Sequence, residues 1–116
     1  MPTEMRHIVF TPNEVLRSIT QYRHRRREPL PAGTISNLKI EERPDVHVVL
    51  YITGDAQGKK AEEVVFQGAE LAAALVMFCI ERKIPLPAAR AKKTLRVFDK
   101  QLGLEVAIDQ GSGSGG

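Results

Sequence analysis

The chain has 116 residues, of which 42% are hydrophobic and 27% charged, and its net charge is +3. This composition indicates one soluble globular domain with a mostly aliphatic core. The single cysteine excludes an intrachain disulfide, and no apolar stretch is long enough to cross a membrane. We therefore expect a cytoplasmic protein without membrane contact.

The first half of the chain predicts the element order strand, helix, strand, strand. After a short apolar strand at 7–10, Thr11 suits a helix N-cap, Pro12 its first position and Glu14 a capping box. The helix is expected to end near Arg27, because the prolines that follow disfavour helical backbone. Two strands and then a polar hairpin loop are predicted over 34–42, 46–53 and 54–60.

The second half predicts the same order of elements. A strand is expected at 62–66 and a helix at 68–83. Two further strands at 94–99 and 104–109 are expected to flank a turn at 100–103.

An internal repeat underlies this agreement. At an offset of 56 positions, residues 10–32 and 66–88 are identical at seven of 23 positions, where average composition gives roughly one or two. The shared residues include Phe10 on Phe66 and a Pro-Leu-Pro-Ala segment in each half. At the same offset, the last strand of the second half falls on that of the first: Leu102, Leu104, Val106 and Ile108 on Val46, Val48, Leu50 and Ile52.

The strand before it is displaced by one further residue, since Leu38 matches Leu95 and Ile40 matches Val97. A turn of different length or a β-bulge must absorb this slip. The prediction is an α+β domain over 1–110, formed by tandem duplication of a β-α-β-β unit at about 5–54 and 60–109. The simplest packing is a mainly antiparallel sheet with both helices on one face, and residues 111–116 resemble an engineered Gly/Ser linker or tag remnant.

The repeat also predicts which side chains are buried in both halves. Phe10, Tyr22 and Leu30 and their counterparts Phe66, Phe78 and Leu86 are expected to be buried. Arg26 and Arg82 each follow an aromatic residue by one helical turn. We expect their guanidinium groups to lie across those rings or to bind carbonyl oxygens near the Pro-Leu-Pro turn, and the alternative is a ligand-binding role.

The outer face of the second helix is apolar, whereas the aligned positions of the first helix are polar. A surface helix normally has a polar outer face. The apolar face is therefore either intrachain core or a surface that binds a protein partner or a second copy of the chain. We favour the second interpretation and expect a homodimer. Its residues, our candidate partner-binding site, are Ala69, Ala73, Val76, Met77 and Ile80.

Two basic clusters suggest an alternative function, nucleic-acid binding. Arginine and lysine bind phosphate through charge irrespective of base sequence. The simpler interpretation is that these cations complement the negative end of a helix dipole, since no stacking aromatics are interleaved with them. The residues concerned are Arg23, Arg25, Arg27, Arg90, Lys92 and Lys93.

No catalytic residue, cofactor or metal site is predicted. The three histidines are scattered, no phosphate-binding or nucleophile motif is present, and Cys79 is expected to be an inert buried thiol. The function that the sequence favours is therefore a small non-enzymatic protein-interaction or self-associating module.

Overall fold

The computed structural model describes residues 3–54, 62–86 and 92–109, and these contain six strands and two helices in the predicted order. The α+β class is confirmed. Most of the predicted loop at 54–60, and the Gly/Ser run at 111–116, lie outside the described residues. The elements are β1 (Thr3–Phe10), α1 (Pro12–Arg25), β2 (Thr34–Glu41), β3 (His47–Thr53), β4 (Glu62–Gln67), α2 (Gly68–Glu81), β5 (Lys92–Phe98) and β6 (Gln101–Asp109).

Local sequence signals set the start of α1. The backbone N–H of Glu14 donates to Thr11 Oγ1 at 3.1 Å, and Glu14 Oε1 accepts from the backbone N–H of Thr11 at 2.8 Å. With Pro12 opening the helix, the predicted capping box is confirmed.

Both helices end in the same way, at positions 56 residues apart. Arg27 and Lys83 have left-handed backbone, with φ of 60° and 57°. After α1, the N–H of Arg27 donates to the carbonyl of His24, and the N–H of Glu28 to that of Arg23. The same two hydrogen bonds follow α2, which makes each helix end a Schellman motif.

The strands form two three-stranded antiparallel sheets rather than the single sheet of the simplest packing. The strand orders are β1-β6-β5 and β2-β3-β4. Each sheet thus contains a hairpin from one half of the chain and the first strand of the other half. The arrangement supports a duplicated unit, and the duplication itself stays a prediction.

Strand pairing corrects the predicted match of the last strands. Leu104 pairs with Ile8 of β1, and Leu50 pairs with Val64 of β4, so the two buried leucines are equivalent although 54 positions apart, not 56. The predicted alignment of Leu102, Leu104, Val106 and Ile108 with Val46, Val48, Leu50 and Ile52 is therefore wrong by two residues.

Unequal turns explain this shift. Leu38 pairs with Leu50 and Leu95 with Leu104, which confirms the one-residue slip predicted for β2 and β5. Five residues connect β2 to β3 and only two connect β5 to β6, so the second half is three positions shorter between its paired strands.

The predicted turn at 100–103 is also wrong. The turn consists of Asp99 and Lys100, both with positive φ as a tight two-residue hairpin requires, and Gly103 lies within β6. A Cβ at Gly103 would lie 2.7 Å from Phe98 Cδ2, so the absence of a side chain lets the ring lie across the strand. There the ring of Phe98 also contacts the ring of His7 on β1, with centroids 4.6 Å apart.

One hydrophobic core joins both sheets and both helices. Phe10, Phe66 and Phe78 are fully buried as predicted, and the rings of Phe10 and Phe78 meet edge to face. The prediction of burial is met only in part by Tyr22, Leu30 and Leu86, which are all half-buried; the two leucines pack at the rim of the core. Helix α1 contacts β1 and β6, whereas α2 contacts β3, β4 and β5, and the helices also pack on each other.

A divided chain tests the exchange of strands between the two halves. We expect fragments 1–58 and 59–116 to unfold without cooperativity as monomers, because each leaves the apolar faces of its strands uncovered. Mixing them in equal amounts should restore the circular dichroism spectrum and a cooperative thermal transition. A monomeric fragment that keeps the native helix content alone would contradict the shared core.

Candidate interaction surface on the helix pair

Two ion pairs connect the helices. Arg23 Nε lies 2.8 Å from Glu70 Oε2, and Arg25 pairs with Glu81. The two arginines are close together on the last turns of α1, whereas the two glutamates lie roughly 16 Å apart along α2 at the usual helical rise. Through these two pairs, the last turns of α1 are connected to both ends of α2.

The crossing leaves a cleft on one side, which we call the paired cleft, with a volume of about 580 Å³. In it, the guanidinium of Arg23 also lies over the ring of Phe66, 4.8 Å from its centroid. Arg26 donates to Glu28 at 3.1 Å and to the hydroxyl of Tyr22, and these hydrogen bonds raise the pKa of Arg26. The lining residues of the paired cleft are Tyr22, Arg23, Arg26, Glu28, Ala69, Glu70 and Ala73.

A second cleft, which we call the arginine cleft, has a volume of about 390 Å³ and lies between the start of α1 and the end of α2. Arg82 lies over the ring of Phe78, 5.0 Å from its centroid, which is one of the two placements predicted from the sequence. The prediction also holds for Arg26, which lies 5.7 Å from the ring centroid of Tyr22. The lining residues of the arginine cleft are Asn13, Glu14, Leu16, Arg17 and Arg82.

Cys79 is buried in the core near this cleft. Burial is the main cause that raises the pKa of its thiol, and the charge of Glu14 raises it further. A protonated, buried thiol is a poor nucleophile. The surroundings of Cys79 therefore give no support to covalent catalysis.

The apolar face of α2 divides into parts with different surroundings. Ala69 and Ala73 line the paired cleft beside α1. Val76 is half-buried against the core and Met77 is half-buried, whereas Ile80 is 65% exposed. The five predicted residues thus include some intrachain packing, and the free apolar surface is centred on Ile80.

A shallow depression lies between the outer face of α1 and the end of α2. Thr20, Gln21 and His24 line this depression of about 300 Å³ with Arg25 and Glu81. The ion pair between Arg25 and Glu81 connects the two helices at this depression.

Ion pairing reduces the charge available for nucleic-acid binding in the first basic cluster. Arg23 and Arg25 have carboxylate partners on α2, and only the first is half-buried. Arg27 and Lys92 are exposed, Lys93 is half-buried on β5, and Arg90 lies outside the described residues. No local pattern reveals the pairing of Arg23 with Glu70, because 47 residues separate the two in sequence.

The described part of the chain contains neither a metal-binding cluster nor a membrane-spanning helix. Among residues 3–54, 62–86 and 92–109, no group of His, Cys, Asp and Glu side chains could hold a metal ion. In the same ranges, no helix is both long and apolar enough to span a membrane.

Substitution of Arg23 tests whether it stabilises the helix crossing. Arg23→Gln removes the ion pair with Glu70 and the contact with the Phe66 ring, so we expect the free energy of unfolding to fall by about 1–2 kcal/mol in urea titrations. The matched control Arg27→Gln, at an exposed site, should change it by less than about 0.5 kcal/mol. If both variants lowered the free energy of unfolding by the same small amount, Arg23 would not stabilise the packing of the helices.

Comparison with known proteins assigns no family to the chain, because no family model matches it, no curated protein is significantly similar to it, and no solved structure matches it.

Proposed function

We propose that the chain is a non-enzymatic interaction module that associates with a second copy of itself through the outer face of α2. One observation carries this proposal: Ile80 is 65% exposed beside the half-buried Val76 and Met77. The aligned positions of α1 hold Thr20, Gln21 and His24, so the apolar surface is confined to one of two otherwise similar helices.

The composition of this surface fits a small interface. Protein interfaces combine an apolar centre with a polar rim, and here Glu81, which pairs with Arg25, directly follows Ile80 in the chain. Met77 has an unbranched side chain that can adapt to an irregular partner surface. Burial of apolar area contributes roughly 25 cal/mol per Å² before the entropic cost of association. A face that meets its own copy forms a two-fold dimer, in which each favourable interaction occurs twice.

The alternative function, nucleic-acid binding, has less support. In the first basic cluster, carboxylates of α2 neutralise the charges of Arg23 and Arg25. Arg27 and Lys92 are exposed, but two cations neutralise few phosphates. Each neutralised phosphate adds only about 0.9 to the slope of the logarithm of affinity against the logarithm of salt concentration. Association through Ile80 should instead vary little with salt, which separates the two functions in one titration.

The proposal is tested by placing a charge at the centre of the surface. Sedimentation of the wild type over a range of concentrations should show a monomer–dimer equilibrium, and Ile80→Glu should weaken it by about tenfold or more because it buries an unpaired carboxylate. The matched control His24→Glu, at the aligned position of α1, should leave the dimer unchanged. The circular dichroism spectra of both variants should match that of the wild type, because both side chains are exposed.

Three results would contradict the proposal. A wild type that stays monomeric at the highest concentration would exclude self-association. Unfolding of Ile80→Glu would show that the face is intrachain core. Equal weakening by His24→Glu would move the interface away from the apolar face of α2.

A further inference from the structure

The two clefts beside the helix crossing occupy corresponding positions in the two halves of the chain. Asn13, Glu14 and Arg17 of the arginine cleft fall on Ala69, Glu70 and Ala73 of the paired cleft at the offset of 56, and Arg82 falls on Arg26. The clefts therefore share one framework, and a difference in their charges reflects individual side chains.

Charges cancel within the paired cleft. It is lined by two arginines and two glutamates, and each arginine contacts one of these carboxylates: Arg23 lies 2.8 Å from Glu70 and Arg26 lies 3.1 Å from Glu28. Since its cations already have anionic partners, this cleft has little affinity for a further anion.

The arginine cleft is different, because its two guanidinium groups are uncompensated. Neither Arg17 nor Arg82 forms an ion pair with any described residue. Glu14 is the single carboxylate among its lining residues, and one of its oxygens accepts the backbone N–H of Thr11 at the helix cap. The cleft thus carries a net positive charge with two cations at one small space.

Part of this arrangement is held in place before any ligand binds. Contact of Arg82 with the Phe78 ring limits the freedom of its long side chain. Arg17 lies on α1 one turn after Asn13, whose amide offers a further donor at the same cleft. Ordering of side chains normally opposes binding, so restriction in the free protein favours it.

We propose that the arginine cleft is a binding site for a phosphate-type oxyanion, held by the guanidinium groups of Arg17 and Arg82. Guanidinium is planar and forms paired hydrogen bonds with phosphate oxygens, and two such groups can contact different oxygens of one phosphate dianion. A carboxylate has a single charge and fewer acceptor oxygens, so it should bind more weakly. The ligand is either free phosphate or a phosphate monoester group on a larger molecule.

The experiment is a titration with inorganic phosphate in which the backbone amide chemical shifts are monitored by NMR. It is carried out at constant ionic strength and at about pH 7.5, where phosphate is mainly a dianion. We expect saturable shifts at the start of α1 and the end of α2. Arg17→Gln and Arg82→Gln should each lower the affinity for phosphate by about fivefold or more. The matched control is Arg26→Gln in the paired cleft, which removes one positive charge at the position corresponding to Arg82 and should leave the affinity unchanged.

Further arms identify the chemistry and its source. Arg17→Lys keeps the charge but not the planar fork, so an affinity between those of the wild type and Arg17→Gln supports bidentate binding. Acetate should bind more weakly than phosphate. Phenyl phosphate binding more tightly than inorganic phosphate would indicate a monoester ligand, and the reverse order would indicate free phosphate.

Several results would overturn the site. Absence of saturable shifts in the wild type would do so. A loss of affinity in Arg26→Gln as large as in Arg17→Gln or Arg82→Gln would also do so, because it would reflect the general charge of the protein rather than the cleft. Unchanged affinity in both Arg17→Gln and Arg82→Gln would also exclude it. Because both arginines are exposed, these variants should fold, and their amide spectra in the absence of phosphate report this directly.

Discussion

The pairing of each first strand with the hairpin of the other half is the constraint on which the rest of the structure depends. Strand β1 lies beside β6 and β4 lies beside β3, so both central strands obtain one neighbour from the distant half of the chain. The helix that follows each of these strands begins at the sheet to which its strand belongs. Helix α1 then packs on the sheet of β1 and β6, α2 contacts strands of both sheets, and the two helices meet over a common core.

The two halves share their framework and differ at the surface, and both proposals concern these differences. The buried aromatic residues and the helix ends correspond at an offset of 56. In contrast, Ile80 replaces a histidine of the first half, and Arg17 stands where the second half has an alanine. Exposed positions carry little of the folding energy, so they can diverge without loss of the fold. The proposed interface and the proposed anion site both lie at such positions.

Features that depend on neighbouring residues could be predicted from the sequence, and those that depend on distant ones could not. The capping box at Thr11, the element order and the buried phenylalanines follow from local patterns and from the repeat. The division into two sheets does not, because a strand's alternation of apolar residues fails to specify its partner. The turn at 99–100 is not evident because Gly103 suggests a loop, whereas its role is to accommodate the Phe98 ring.

The same limit applies to the candidate site. Arg23 belongs to a basic cluster by its neighbours in sequence, yet its partner Glu70 lies on the other helix. Helical spacing identifies the apolar face of α2, but the division of that face between core and surface depends on where α1 crosses it. The arginine cleft has no sequence signal, since its two cations come from different halves of the chain.

The register of β1 with β6 also has a consequence for the order of events during synthesis. Residues 3 and 109 are paired, so β1 is synthesised about a hundred residues before its partner strand β6. The sheet of β2, β3 and β4 involves no residue beyond 67 and can form earlier. During that interval the apolar side chains of β1 lack their sheet neighbours, and exposed strands of this kind are prone to aggregation and benefit from chaperones. Closing so long a loop also slows folding relative to proteins with mainly local contacts.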